Sequence, residues 1–257
     1  MKNYIKDKTA LITGATSGIG RAMAFDFIKM GLNVILVARR EQELKELQEE
    51  LQNISTKNVF VYVLDVREEK EVNRVISNIL ESRSIDILIN NAGLALGIES
   101  IDEGLSDNWN SMIDTNIKGL LYVSKAVIPQ MRFLPTAHIV NIGSVAGKTS
   151  YPGGNVYCAT KAAVHSIGES MNSDLFGTNI KVSTIAPGAV DTNFSNIRFN
   201  NDDEKVEAVY KGYSPLIASD ISSAIMNIIN TPIHVNIQYL DIMPTAQRNP
   251  FQLYRND

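Results

Sequence analysis

The sequence predicts an α/β fold: a single-domain, doubly wound parallel sheet of seven strands with helices on both faces. Three observations carry that expectation. Strand-like apolar runs alternate with helical apolar stripes from end to end, which is the pattern of βαβ units with right-handed crossovers. Polar and glycine-rich signals directly follow those runs, at Gly14, Arg39, Asp65, Asn90, Ser144 and Pro187-Gly188. Open α/β sheets bind ligands beyond the carboxyl ends of their strands. The 257 residues show no composition break, repeat, low-complexity run or long linker, so one domain spanning 1–257 is expected.

Each element has its own justification. Thr9-Ala10-Leu11-Ile12-Thr13 reads as a short buried strand, followed by a glycine turn and an amphipathic run to Gly31. Asn33 to Ala38 is a second strand, and Leu44, Leu47, Leu51 and Ile54 form a helical stripe after it. Val59 to Leu64 is a third strand, and Val72, Val75, Ile76, Ile79 and Leu80 mark the next helix. Ile85 to Ile89 is a fourth strand, and a long helical stretch runs from about Ser106 to Arg132, stopped near Pro135. His138 to Ile142 is the fifth strand and ends at Gly143-Ser144. A helix then carries Tyr157 and Lys161; Ile180 to Ile185 is the sixth strand, running into Pro187-Gly188, and Val235 to Met243 closes the pattern.

Composition removes several classes of function. Twenty-four basic against 28 acidic residues leave a net charge of -4, which argues against nucleic acid as a partner. Cys158 is the one cysteine, so an internal disulfide is excluded and a reducing, cytoplasmic setting is expected. Redox chemistry at Cys158 is disfavoured, since small residues pack beside such a tyrosine. His138, His165 and His234 are far apart, match no metal spacing and read as structural. No apolar run reaches membrane-span length, and Met1 to Lys8 is no secretory signal.

The first chemical motif is Gly14-Ala15-Thr16-Ser17-Gly18-Ile19-Gly20, between strand and helix. Its spacing is G-x-x-x-G-x-G rather than the G-x-G-x-x-G of the dinucleotide fingerprint, but its context is the one a phosphate loop requires. The glycines let backbone approach a pyrophosphate, and the helix N-terminus offers N–H donors. A glycine turn without a ligand is the plainer alternative. The second strand ends in Arg39-Arg40, with no acidic residue before Glu41. Arginine suits the 2′-phosphate of NADP, whereas an acidic side chain would favour NAD. Solvated charges opening a helix are the alternative, although they would oppose its dipole.

The second motif is Tyr157-Cys158-Ala159-Thr160-Lys161, thirteen residues after Ser144. On a helix, Tyr157 and Lys161 share a face. A free tyrosine, with a pKa of about 10, is a poor base at neutral pH. A neighbouring cation favours its phenolate and lets it trade protons with an alcohol or carbonyl. The Ser144 hydroxyl is placed to hold the reacting oxygen. Alone, Tyr-x-x-x-Lys is common on helix surfaces; the phosphate loop before it gives it weight.

Together these residues resemble the compact single-domain short-chain dehydrogenases/reductases, a family of Rossmann-type fold. The resemblance rests on Thr13-Gly14-x-x-x-Gly18-x-Gly20, Asn90-Asn91-Ala92-Gly93, Asn116, Ser144, Tyr157-x-x-x-Lys161 and Pro187-Gly188, in order over essentially the whole chain. It implies catalysis by Asn116, Ser144, Tyr157 and Lys161, with Tyr157 as acid in reduction and base in oxidation. Lys161 would also bind the nicotinamide ribose, and the Asn116 carbonyl would hold a water leading from Lys161 to solvent. It implies cofactor contacts from Gly14, Thr16, Ser17, Gly18, Ile19, Gly20, Arg39, Arg40, Asp65, Val66, Asn90, Asn91, Ala92, Gly93, Pro187, Gly188, Val190 and Thr192. Asp65 has a second reading, as a helix N-cap.

A narrower likeness, to the NADP-dependent 3-hydroxy acid dehydrogenases, rests on Asp174-Leu175-Phe176-Gly177-Thr178, Gly153 to Tyr157, Asn193 to Phe199 and Met243 to Gln247. That group acts on serine, allo-threonine and related acids, and some members reduce small carbonyl compounds. Asn193 departs from it, for a glutamate more often precedes that phenylalanine. Residues 191–213 fall where a substrate lid is expected. Within it Arg198 is the candidate partner of a substrate carboxylate, Arg248 the second candidate, and solvated arginines the alternative. Trp109 reads as packing. Another ketone, such as a carrier-bound 3-oxoacyl group, and a non-catalytic NADP sensor are the competing functions. The family is commonly a homotetramer, bundled through helices near 106–132 and 155–176.

Overall fold

The structure is a computed structural model, and it describes residues 3–256. Met1 and Lys2, part of the segment read as no secretory signal, lie outside the described residues, as does Asp257. Seven parallel strands form the central sheet in the order β3-β2-β1-β4-β5-β6-β9. They are β1 (Thr9–Thr13), β2 (Asn33–Ala38), β3 (Val59–Val63), β4 (Ile87–Asn90), β5 (Ala137–Ile142), β6 (Ile180–Pro187) and β9 (Tyr239–Ile242). Two small sheets accompany it: β7 (Val190–Asp191) with β8 (Leu216–Ile217), and β10 (Gln247–Asn249) with β11 (Gln252–Leu253).

The strands are nearly continuous apolar runs because both faces are covered. Ala10 and Ile12 of β1 pack with Val34 and Leu36 of β2 under α1 (Gly18–Lys29), α2 (Glu41–Ile54) and α9 (Ala218–Ile229). Leu11, Ile35 and Val37 point the other way, toward α3 (Glu69–Leu80), α5 (Leu120–Met131) and α6 (Asn155–Asp174). The alternation is the period of two of a strand, read on both faces at once.

Four differences from the sequence reading have physical causes. The fourth strand starts at Ile87, because Ile85 and Asp86 lead into the sheet without pairing along it; Asp86 N–H still reaches Thr9 O at 2.9 Å. The sixth strand continues to Pro187, held by β9. Of the closing apolar segment only Tyr239–Ile242 pairs. The long helix is three pieces: α4 (Ser106–Ile113), a π-helical segment (Asp114–Gly119) and α5. Pro129 sits inside α5 on its exposed side, where water can serve the carbonyl that loses its N–H partner.

The strand order reverses between β1 and β4, so the carboxyl ends diverge there and leave a crevice. Over it lies α7 (Phe194–Arg198), which with the following α8 (Asp203–Tyr210) is folded from the stretch expected to be a lid. The turn between them uses Asn200 and Asn201 at φ 52° and 59°, a region asparagine tolerates.

Candidate active site

The crevice is a cleft of about 340 Å³. Its floor is tied together by Thr13, whose hydroxyl accepts the Asn91 and Ala92 N–H groups, each at 3.0 Å, and donates to Ile89 O. Asn91 reaches back to the Thr13 and Gly14 carbonyls at 2.9 and 3.1 Å. The loop after β1 and the loop after β4 are therefore one unit. Gly14 has φ +65°, and a side chain at Gly20 would place its Cβ 2.3 Å from Gly14 O. Helix α1 thus begins hard against the phosphate-loop backbone, as a helix N-terminus must to serve an anion.

Most expected residues line this cleft: Gly14, Thr16, Ser17 and Ile19 at one end, Arg39, Arg40, Asp65 and Val66 beside them, then Asn91, Ala92 and Gly93. Ser144, Tyr157, Lys161, Pro187, Gly188, Val190 and Thr192 complete it toward the other end. Gly18 and Gly20 shape the loop from behind, Gly18 with φ +51° and its absent Cβ 3.4 Å from Thr192. The Asn90 side chain turns inward to Ser124 Oγ and Asn141 Oδ1, both at 2.9 Å, and does not line the cleft, which leaves only its backbone for the expected cofactor contact. Asp65 is not a helix N-cap, because α3 starts four residues later at Glu69. It bonds the Arg67 N–H at 3.1 Å and the Arg67 guanidinium at 2.6 Å.

Arg40 donates to Thr16 Oγ1 at 3.0 Å and pairs with Glu43 at 2.8 Å. Arg39 is exposed and has no ion pair among the described residues. It is thus a cation on the cleft wall, free to meet a phosphate.

At the other end, Tyr157 and Lys161 are both buried on α6. Burial, with Tyr151 beside it, pushes the Tyr157 phenol above its ordinary value; the Ser144 hydroxyl and the Arg198 charge pull the other way. In the protein alone burial outweighs the lowering expected from Lys161, so the net shift of Tyr157 is upward. Lys161 Nζ donates to Ile142 O at 2.8 Å and lies 5.9 Å from the Tyr157 ring centre, and burial brings Lys161 down to about 8. Ser144 caps a turn of 3₁₀-helix, Val145–Gly147, accepting from Ala146 N at 3.1 Å.

Asn116 lies in the π-helical segment rather than in plain α-helix. Its side chain clamps Leu94, accepting from its N–H and donating to its carbonyl at 2.8 Å each, and bonds Thr160 Oγ1 at 3.0 Å. Single π turns occur often at functional sites, where they shift backbone carbonyls out of the regular ladder.

Arg198 is brought to the site and Arg248 is not. From α7 the Arg198 guanidinium lies 5.6 Å from the Tyr157 ring centre and donates to Tyr151 OH at 2.6 Å. Its Nε reaches Gly97 O at 3.3 Å and its own carbonyl accepts the Gly97 N–H at 3.1 Å, so one residue fastens the lid to the opposite wall. Arg248 is exposed on β10. Trp109 packs with Met112 and Ala95 near Tyr157, in agreement with its reading as packing.

Three residues escaped the sequence reading. Tyr151 is the partner of Arg198, and Phe194 packs against the Tyr157 ring, their centroids 5.7 Å apart and their planes tilted by 55°. His165, one helical turn after Lys161, accepts the Ser144 N–H at 3.4 Å and contacts Tyr239 OH. The i+4 spacing from Lys161 was the available signal for His165. Among the described residues no group of His, Cys, Asp and Glu could hold a metal, and no helix is long and apolar enough to cross a membrane.

A glycine-lined crevice at a topological switch point, opening onto a Ser–Tyr–Lys cluster, defines a dinucleotide-binding oxidoreductase of the α/β class. The comparisons make this specific: the short chain dehydrogenase family matches residues 8–203, and the chain belongs to it. The NADP-dependent 3-hydroxy acid dehydrogenase YdfG of Escherichia coli K12 is 44% identical over 239 residues, 92% of this chain and 95% of its own. Sulfoacetaldehyde reductase 2 of Chromohalobacter salexigens is likewise 44% identical over 239 residues, 92% of this chain and 94% of its own. The closed form of a serine dehydrogenase complexed with NADP+ superposes with a TM-score of 0.90 at 41% identity, over 97% of this chain and 100% of that one.

Proposed function

We propose that this chain is an NADP(H)-dependent oxidoreductase that interconverts short 3-hydroxy acids, of the serine, allo-threonine or 3-hydroxypropionate type, with their 3-oxo counterparts. The observation that carries this reading is Arg198. A guanidinium held 5.6 Å from the Tyr157 ring sets a carboxylate fork beside the phenol that would handle the hydroxyl. The relatives named above act, by their names, on hydroxy acids or on an anionic aldehyde, which suits a cation at this place.

The residues fit the cofactor. The glycine loop gives backbone access for a pyrophosphate, and Arg39, without an ion pair, suits a 2′-phosphate. Gly93 matters too, since a Cβ there would lie 3.5 Å from Lys161 Nζ, in the space a ribose would need. When bound, NADP+ accepts the hydride released from the carbinol carbon. The chain supplies the rest. Ser144 holds the substrate oxygen, and Tyr157 takes its proton in oxidation or returns it in reduction. Arg198 grips the carboxylate and favours the phenolate by its charge. Lys161, beside the Asn116 π turn, would lead protons between Tyr157 and solvent.

The reading includes a homotetramer in the reducing cytoplasm. Leu105, Ile113 and Leu121 are exposed along α4 and α5, and Phe176 is 91% exposed just after α6, which supports packing of these helices between copies. Light scattering tests this; a monomer would remove that part.

The test of function follows reduced-cofactor absorbance with NADP or NAD against serine, allo-threonine, 3-hydroxypropionate and neutral diketones. NADP-dependent oxidation of a hydroxy acid is expected. Turnover of neutral carbonyls alone would overturn the substrate, and NADPH binding without turnover would favour a sensor.

A further inference from the structure

The opposite end of the sheet, where the strands begin, holds a second cavity of about 220 Å³ bordered by Lys8, Asp86, His138, Lys181 and Thr231. It lies about 20 Å from the candidate active site, the length of a six-residue strand. Ile87, His138 and Lys181 are register partners on β4, β5 and β6, so their side chains leave the sheet on one face. His138 and Lys181 are only 3% and 6% exposed. Two things about this pair are unusual for buried polar groups.

The first is charge. Lys181 has no carboxylate partner among the described residues; its Nζ donates to Thr231 O at 3.3 Å and Thr231 Oγ1 at 2.8 Å. Both acceptors are neutral, so one N–H and most of the charge remain uncompensated. Lys8 adds a second cation, donating to Thr136 O at 3.3 Å and lying 4.0 Å from Asp86. Asp86 is itself engaged, its other oxygen accepting the Thr9 N–H at 2.9 Å. Burial lowers both lysines, Lys181 to about 8.

The second is the tautomer of His138. Ser183 Oγ donates its single hydrogen to Ile237 O at 2.6 Å, so it can only accept from His138 Nε2, at 2.8 Å. Nε2 therefore carries the ring hydrogen, and Nδ1 is a bare acceptor. That atom is buried and has no hydrogen-bond partner. The ring does not escape by taking a proton, because burial and the two lysines hold it down at about 3.

We propose that this cavity binds a small oxyanion that also carries an O–H, of the monohydrogen-phosphate type. Its oxygens meet the Lys181 and Lys8 ammonium groups, and its O–H donates to His138 Nδ1. A neutral molecule would leave Lys181 without a counter-ion. An acceptor-only anion such as sulfate would turn a lone pair toward Nδ1. Only an anion with a hydrogen to give satisfies both.

The test titrates inorganic phosphate, and sulfate in parallel, into protein saturated with NADPH so that the upper cleft is filled. Calorimetry reads affinity, and 15N spectra of labelled histidine read His138 Nδ1 directly. One phosphate per chain is expected, with sulfate weaker and about a tenfold or greater loss in Lys181→Met. His138→Gln is expected to narrow the preference for phosphate over sulfate. The Nδ1 signal should move with phosphate and not with sulfate. Absence of phosphate binding, equal affinity in Lys181→Met, or equal binding of sulfate would each overturn the proposal. If a variant does not fold, the wild-type sulfate comparison and the histidine spectra decide alone.

Discussion

Lys161 and Lys181 are each 6% exposed, and burial brings each down to about 8. They stand at opposite ends of the same sheet and differ in what surrounds them. Lys161 shares an open, glycine-lined cleft with the Tyr157 phenol and the Ser144 hydroxyl. Lys181 faces two threonine oxygens and an imidazole acceptor in a smaller cavity. Desolvation lowers both, and at Lys181 the charge of Lys8 adds to it, so depressed basicity by itself identifies neither as a reacting group. Geometry separates them: one cation can assist proton transfer, whereas the other can only attract.

The sharpest way to break this contrast is Tyr157→Phe. It should lower kcat about 10³-fold while leaving NADPH affinity nearly unchanged; unaltered turnover would remove the upper lysine's claim to a reacting neighbour. Arg198→Gln should lower kcat/KM for hydroxy acids about ten- to hundredfold and spare a neutral diketone. Equal losses on both substrates would reduce Arg198 to a fastener of the lid. Arg39→Ala should raise the KM for NADP about tenfold and leave that for NAD alone; parallel changes would place the 2′-phosphate elsewhere.

The smallest effect concerns stability at the lower end. Burial and the nearby Lys181 and Lys8 charges lower the folded His138 to about 3, from an ordinary value of about 6.5. The unfolded chain therefore takes up a proton that the folded chain refuses. The contribution is whole above about pH 6.5 and is lost as pH falls toward 3, at no more than about 1.4 kcal/mol per unit. Urea midpoints at pH 7 and 5 should fall less in His138→Gln than in the wild type; parallel declines would assign the loss to other groups.

The same contrast shows what the sequence made legible. Tyr157 and Lys161 are four apart on one helix, and a helix converts that spacing directly into proximity. Strand cores were legible for a similar reason, because long apolar runs in α/β order leave few topologies. His138 and Lys181 are 43 positions apart and become neighbours only through parallel register, which no local pattern encodes. Arg198 was singled out by its residue type, but its bond to Tyr151 depends on how the lid lies across the cleft. The inward turn of Asn90 likewise depends on Ser124 and Asn141, from distant segments.

The π segment Asp114–Gly119 has a further consequence. Relative to an unbroken α-helix it accommodates a surplus residue. Rewinding the segment as plain α-helix with every residue kept would rotate everything beyond it by about 100°. Val123, Val127 and Met131, now fully inside, would swing off the sheet, and polar neighbours would swing in. The irregularity is therefore locked by the packing of the twelve residues that follow it. Insertions should be tolerated in the lid long before they are tolerated at Asn116.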